Sequence, residues 1–158
     1  MTVQPESDIE YAGFWVRVGA TLIDTIILMM ITLPMLLSIY GSGYWENSSF
    51  IAGPADFLIS YVLPAVVVII LWVKLSTTPG KMAMGATIVD AQTGEKPTTS
   101  QFVIRYLGYY VSMIPFLLGF IWVGIDPRKQ GWHDKMAGTV VIKRKAGGGQ
   151  PVRFDQQG

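Results

Sequence analysis

The chain of 158 residues has no cysteine, one histidine, and charge on only 15% of its residues. The missing cysteine excludes disulfides and thiolate-based redox or metal centres, and leaves the compartment open. His133 without a cysteine is a poor start for a transition-metal site, so no metal or other cofactor is expected. No G-x-S-x-G surrounds a serine. Gly80–Lys81 lacks the spacing of a phosphate-binding loop and reads as a turn. With no nucleophile–base pair or metal set in view, enzymatic activity is not expected. A net charge of +1 suggests no nucleic-acid partner, and the basic run Lys143, Arg144, Lys145 is expected to meet anionic lipid headgroups. The first thirteen residues hold Glu6, Asp8 and Glu10 but no lysine or arginine, so the basic start of a cleavable signal peptide is missing.

A soluble domain carries about 25% charged residues. Here the deficit is concentrated in three apolar segments, 14–40, 57–75 and 102–125. A membrane helix needs about 20 apolar residues, so the first segment reads as a retained anchor. The expected fold class is an all-α membrane protein, with three hydrophobic helical segments and a small cytoplasmic β pair. The first segment holds Arg17 and Asp24. A charge inside a membrane helix costs at least ~2.5–3.5 kcal/mol on insertion scales, so Asp24 needs a partner or a use. The two residues share a helix face but lie about 10 Å apart along the axis. Asp24 is therefore expected to meet a charge from another segment. Gly19 and Ala20 between them allow a neighbour to approach closely, and Pro34 can kink the far end.

Residues 1–11 form a polar N-terminal segment, expected to be loose, and 146–158 a flexible tail. Residues 41–56 read as a turn-rich loop with Glu46 and Asp56 and no basic residue. In 76–101, Thr78–Pro79 reads as a helix start for a short interfacial helix over 79–84, stopped by Gly85. Residues 86–90 and 139–142 read as strands able to pair, Ser100 as a cap for the next helix, and Asp126–Pro127 as another helix start.

Basic residues favour the cytoplasmic side. This places loop 41–56 outside and loop 76–101, which holds Lys81 and Lys96, in the cytoplasm. Three full spans would put the most basic stretch, which holds Arg128, Lys129, Lys135 and 143–145, outside. A third segment that enters, breaks near Ile114–Pro115 and returns resolves the conflict. A simple span of 102–125 is the alternative.

The stretches AGFWVRVGATLID, TPGKMAMGATIVDAQTGEKP, RYLGYYVS and GFIWVGIDPRKQGWHDKMAGTVVI together resemble the RDD family of bacterial membrane proteins over residues 12–145. That family is named for an arginine and two aspartates. The resemblance matches Arg17 and Asp24 to the first two and Asp134 to the third, with Asp126 as the competing match. It implies a cell-membrane protein and leaves two functions open: exchange of small monovalent cations or protons at an Arg/Asp cluster, or a non-transporting scaffold or assembly factor in which that cluster is structural. The cluster is expected to gather Arg17, Asp24, Arg105, Asp126, His133 and Asp134 near the cytoplasmic interface. The lipid bilayer, and a second copy or a partner membrane protein, are the expected partners.

Overall fold

The computed structural model describes residues 9–114 and 117–144. A three-residue strand, β1 (Ile9–Tyr11), leads into the long helix α1 (Phe14–Tyr40). At ~1.5 Å per residue α1 is about 40 Å long, more than the ~30 Å hydrocarbon core of a bilayer. It continues as a helix through Pro34. A second long helix, α2 (Pro54–Leu75), is equally apolar, and both are long and apolar enough to cross a membrane. Within α2 the turn Leu58–Val62 is widened to a π-helix just before Pro64. Proline has no N–H and its ring clashes with the carbonyl four residues back, and a wider turn relieves both.

The short α3 (Pro79–Ala83) and the strand β2 (Ala86–Asp90) follow, then α4 (Thr99–Met113), α5 (Leu118–Ile121), α6 (Trp132–Ala137) and β3 (Thr139–Arg144). The strand order is β1–β3–β2, antiparallel throughout. The expected β pair is present, with Ala86 opposite Lys143 and Asp90 opposite Thr139. It gains a third strand from the N-terminal segment, where Glu10 and Lys143 form an ion pair of 3.1 Å. Residues 9–11 are therefore ordered rather than loose. The expected flexible tail and Pro115 lie outside the described residues.

Three helix boundaries differ from the sequence expectation. Thr98, not Ser100, caps α4, because the T-x-x-Q spacing lets Thr98 and Gln101 cap each other reciprocally. No helix starts at Pro127; the Asp126 carboxylate instead accepts the amides of Arg128 and Gln130 in a turn, and α6 starts at Trp132. Loop 41–56 is partly helical, with a 3-10 turn over Gly41–Glu46 and the start of α2 at Pro54. The third apolar segment is broken: Thr99–Met113 and Leu118–Gly124 meet at 112°.

A small core of Ala12, Trp72, Ala86, Ile88, Phe102 and Val141 joins the sheet to the ends of α2 and α4. Packing Trp72 on Phe102, with ring centroids 5.8 Å apart, ties the second long helix to the third apolar segment. By contrast, the flanks of α1 carry exposed Leu22, Ile26, Met30 and Ile39.

Candidate functional site

The structure divides the expected polar cluster into separate sets. The principal one is built on Asp134, fully buried at the start of α6. Its Oδ2 accepts from Arg17 Nη1 at 2.6 Å and from the Gly131 amide at 2.9 Å. Its Oδ1 accepts from Arg105, which also donates to Thr139 Oγ1 at 2.9 Å. Arg17 is spread further over backbone, donating to the carbonyls of Ala12 (3.2 Å) and Lys129 (2.6 Å). The last bond holds Lys129 in a left-handed conformation, φ 53°. One carboxylate thus fastens α1, α4, α6 and the turn before α6. Arg17 and Arg105 do not reach out to solvent as long basic side chains can.

Asp24 does not join this set and, among the described residues, meets no opposite charge within ion-pair distance. Its Oδ2 accepts from Thr78 Oγ1 at 2.6 Å and its Oδ1 from the Gly80 amide at 2.7 Å. Thr78 in turn caps α3 by accepting the Lys81 amide. A carboxylate on the side of α1 therefore serves the first turn of α3, where free amides and the helix dipole favour negative charge. Gly80 makes the approach possible. A Cβ placed there would lie 2.0 Å from the Ala20 carbonyl oxygen and 2.9 Å from Asp24 Cγ. The expected close approach at Ala20 is thus realised by α3.

Asp126 stands apart, bound to Lys135 Nζ at 2.7 Å. Burial pushes its carboxyl up, but Lys135 and the Gln130 and Arg128 amides outweigh it and hold the group below its usual range.

His133 lies on the other side of Asp134, its Nε2 3.4 Å from Asp134 Oδ2. Its Nδ1 is 3.3 Å from Ser112 Oγ, and its ring packs on Tyr109 and Phe120. Burial, then the charges of Arg105, Arg17 and Lys81, hold this imidazole neutral well below its ordinary range. The order Ser112–His133–Asp134 has the sequence of contacts of a hydrolytic triad. However, all three residues are buried, and Gly119 packs directly on Ser112, where a Cβ would lie 2.6 Å from its Oγ. Gly108 packs as tightly on His133, which is how α4 and α6 come so close.

Two sets escaped the sequence reading. One is Thr78, Gly80 and Lys81: Thr78 was legible as a helix start and Gly80–Lys81 as a turn, but their docking on Asp24 was not; the signal was the T-P-G-K start of a helix opposite the small pair Gly19–Ala20. The other lies at the far end of α1. There the buried Asp56 accepts from Ser60 Oγ (2.7 Å), Tyr44 Oη (3.2 Å) and the Ala52 amide (2.8 Å), while its own amide donates to Tyr40 Oη at 3.1 Å. An acid in the first turn of a helix that starts G-P was its signal. Among the described residues, no three His, Asp or Glu side chains converge as a metal site. Two surface hollows of about 420 and 470 Å³ are lined by neither Asp24 nor Asp134.

Two apolar helices of membrane-spanning length, the first locked to a small sheet-and-helix cap by an arginine–aspartate set and the second packed on it through Trp72, define a small helical membrane protein. The RDD family matches residues 11–138, and the chain belongs to that family. It is 30% identical over 154 residues to Uncharacterized protein YxaI of Bacillus subtilis (strain 168), covering 83% of this chain and 96% of the relative. It is also 30% identical over 141 residues to Uncharacterized membrane protein YteJ of the same organism, covering 85% and 82%. Uncharacterized protein RP437 of Rickettsia prowazekii (strain Madrid E) is 42% identical over 72 residues, 46% of this chain and 39% of that protein's length. No solved structure matches.

Proposed function

We propose that this RDD protein is a multi-pass protein of the cell membrane that acts as a non-transporting scaffold or assembly factor, with its Arg/Asp sets as structural locks. The observation that carries this reading is that the oxygens of Asp24 and Asp134 are taken by donors of the protein itself. A hard cation is bound by oxygen lone pairs turned toward it. Freeing those of Asp24 would undock α3 from α1. Freeing those of Asp134 would leave two arginines without a counter-charge.

The sheet supports the topology that goes with this reading. Its three strands come from before α1, after α2 and after α6, which favours one side of the bilayer for those segments and a segment bent by 112° that enters and returns. Lys81, Lys96, Lys135 and Lys143 favour the cytoplasm for that side, with loop 41–56 outside. The uncovered apolar flanks of α1 and α2 face lipid and a second copy or a partner membrane protein. Native mass spectrometry after mild-detergent purification tests the scaffold reading. Wild type is expected as an oligomer or bound to a partner, and Asp24→Asn is expected at reduced level and unassembled. A monomeric wild type, or an Asp24→Asn protein assembled at full yield, would contradict it.

Exchange of a cation or proton at Asp24 is the second reading. It is favoured by one observation: Asp24 is only half-buried and has a hydroxyl and an amide, rather than a cation, as its direct partners.

A further inference from the structure

We propose that the hollow of about 470 Å³ between the first turn of α1 and the returning part of the third apolar segment binds one anionic phospholipid, with the phosphate on Lys129 and an acyl chain along the apolar wall. Its size suits a single small amphiphile. Phe14, Trp15 and Val16 of α1 and Ile121 and Ile125 of the other segment make the lining apolar, and Lys129 adds a cation. Among the described residues no acid lines the hollow. An apolar wall joined to a cation with no carboxylate beside it matches an anionic amphiphile, head and tail.

The backbone that presents Lys129 is fixed from both sides. Its amide donates to the Asp126 carbonyl at 3.0 Å, and its carbonyl accepts from Arg17 Nη2 at 2.6 Å. The φ of 53° is one that a lysine seldom adopts and that asparagine or glycine takes more easily. The arginine that locks α1 to Asp134 thus also sets the direction in which Lys129 leaves the turn. Among the described residues Lys129 forms no ion pair. The hollow itself is open: a Cβ at Gly13 would meet nothing within 4 Å, and one at Gly124 only Phe14 Cβ at 3.9 Å. Its depth suits a headgroup. Phe14 and Trp15, with ring centroids 5.2 Å apart, stand at the start of the 27-residue α1, where aromatic rings mark the membrane interface. Basic pockets beside apolar helices at that level take anionic headgroups. A zwitterionic lipid brings its own cation to its phosphate, and an anionic lipid leaves that place to Lys129. The inference rests on α1 crossing the bilayer and is independent of the scaffold reading.

The test is lipid retention by the full-length protein in mild detergent, read as bound mass by native mass spectrometry, with added phosphatidylglycerol or phosphatidylcholine of the same chains. Wild type is expected to hold one phosphatidylglycerol in preference to phosphatidylcholine. Lys129→Asn, which suits the left-handed backbone, is expected to weaken that retention about fivefold, the worth of one lysine at an anionic surface, and Lys129→Arg to keep it. Gly124→Leu, which fills the hollow, is expected to lose the lipid while its thermal midpoint in lipid-free detergent stays that of wild type. Either of these two variants decides alone should the other fail to fold. Equal retention of both lipids by wild type, or wild-type retention of phosphatidylglycerol in the folded variants, would overturn the proposal. So would sn-glycerol 3-phosphate bound as tightly as the lipid, which would make this a site for soluble phosphate. A dimer that excludes lipid and is broken by Gly124→Leu would also overturn it, and would make the hollow an interface between two copies.

Discussion

Asp134 binds two arginines and an amide, and its loss is expected to be felt more than that of any other acid in the chain. Asp134→Asn leaves two buried guanidiniums without a counter-charge, and breaking a buried pair costs about 3–5 kcal/mol. The expected outcome is a large fall in thermal midpoint or loss of folded protein, read by size-exclusion fluorescence. His133 gives a pH signature. Its folded proton affinity is lowered while the unfolded value stays near 6.5. The unfolded chain therefore binds the extra proton first, and stability falls as pH drops below 6.5 toward the folded range. His133→Gln is expected to flatten this part of a stability–pH curve, and an unchanged slope would show that the acid loss comes from another group. At Gly80 a methyl group meets the Ala20 carbonyl. Gly80→Ala is expected to cost about 1–3 kcal/mol as an overpacked contact, while Gly13→Ala, with nothing within 4 Å, is the near-neutral control. Arg17, Asp24 and Arg105 were legible as residues because charge in apolar sequence is conspicuous, and Asp134 through the resemblance of WHDKMAGT to the family pattern. Their pairing was not. Arg17 and Asp134 are 117 residues apart, and only folding decides that Asp134 takes both arginines and leaves Asp24 to a helix start.

Among the elements, α1, α2 and the β2–β3 pair were legible from length, apolarity and β-branched runs, because those signals are local. β1 was not, since three residues of mixed polarity become a strand only when β3 offers its edge. The start of α4 turned on a reciprocal cap against a lone serine, and the T-x-x-Q pair prevails. Thr98→Ala is expected to cost about 1 kcal/mol through loss of that cap, measured as a fall in thermal midpoint, with Ser100→Ala near neutral. The helix start anticipated at Asp126–Pro127 failed for a physical reason. Asp126 spends its oxygens on the amides of Arg128 and Gln130 and on Lys135, which closes a turn rather than opening a helix.

At the scale of the molecule, the locks gather at one end of α1 and at its other end stands the Asp56 clamp, roughly 35 Å away along the helix. Between them the flanks of α1 present apolar side chains outward. This division suits a protein whose chemistry-bearing groups hold a cap against a membrane anchor, and it leaves no carboxylate free along the span. The sidedness is open to a simple test because the chain has no native cysteine. Glu46→Cys is expected to react with an impermeant maleimide on intact cells, and Gln92→Cys only after lysis. The central claim is that Asp24 docks α3 and does not exchange cations. The measurement that tests it most directly is proton flux into proteoliposomes holding purified wild type or Asp24→Asn, with a pH-sensitive dye inside and Na+ or K+ added outside. The account predicts no cation-dependent proton flux from folded wild type, and an Asp24→Asn protein marked by lower stability alone. Flux in wild type that disappears in an equally inserted Asp24→Asn would contradict it and make the carboxylate a transport site.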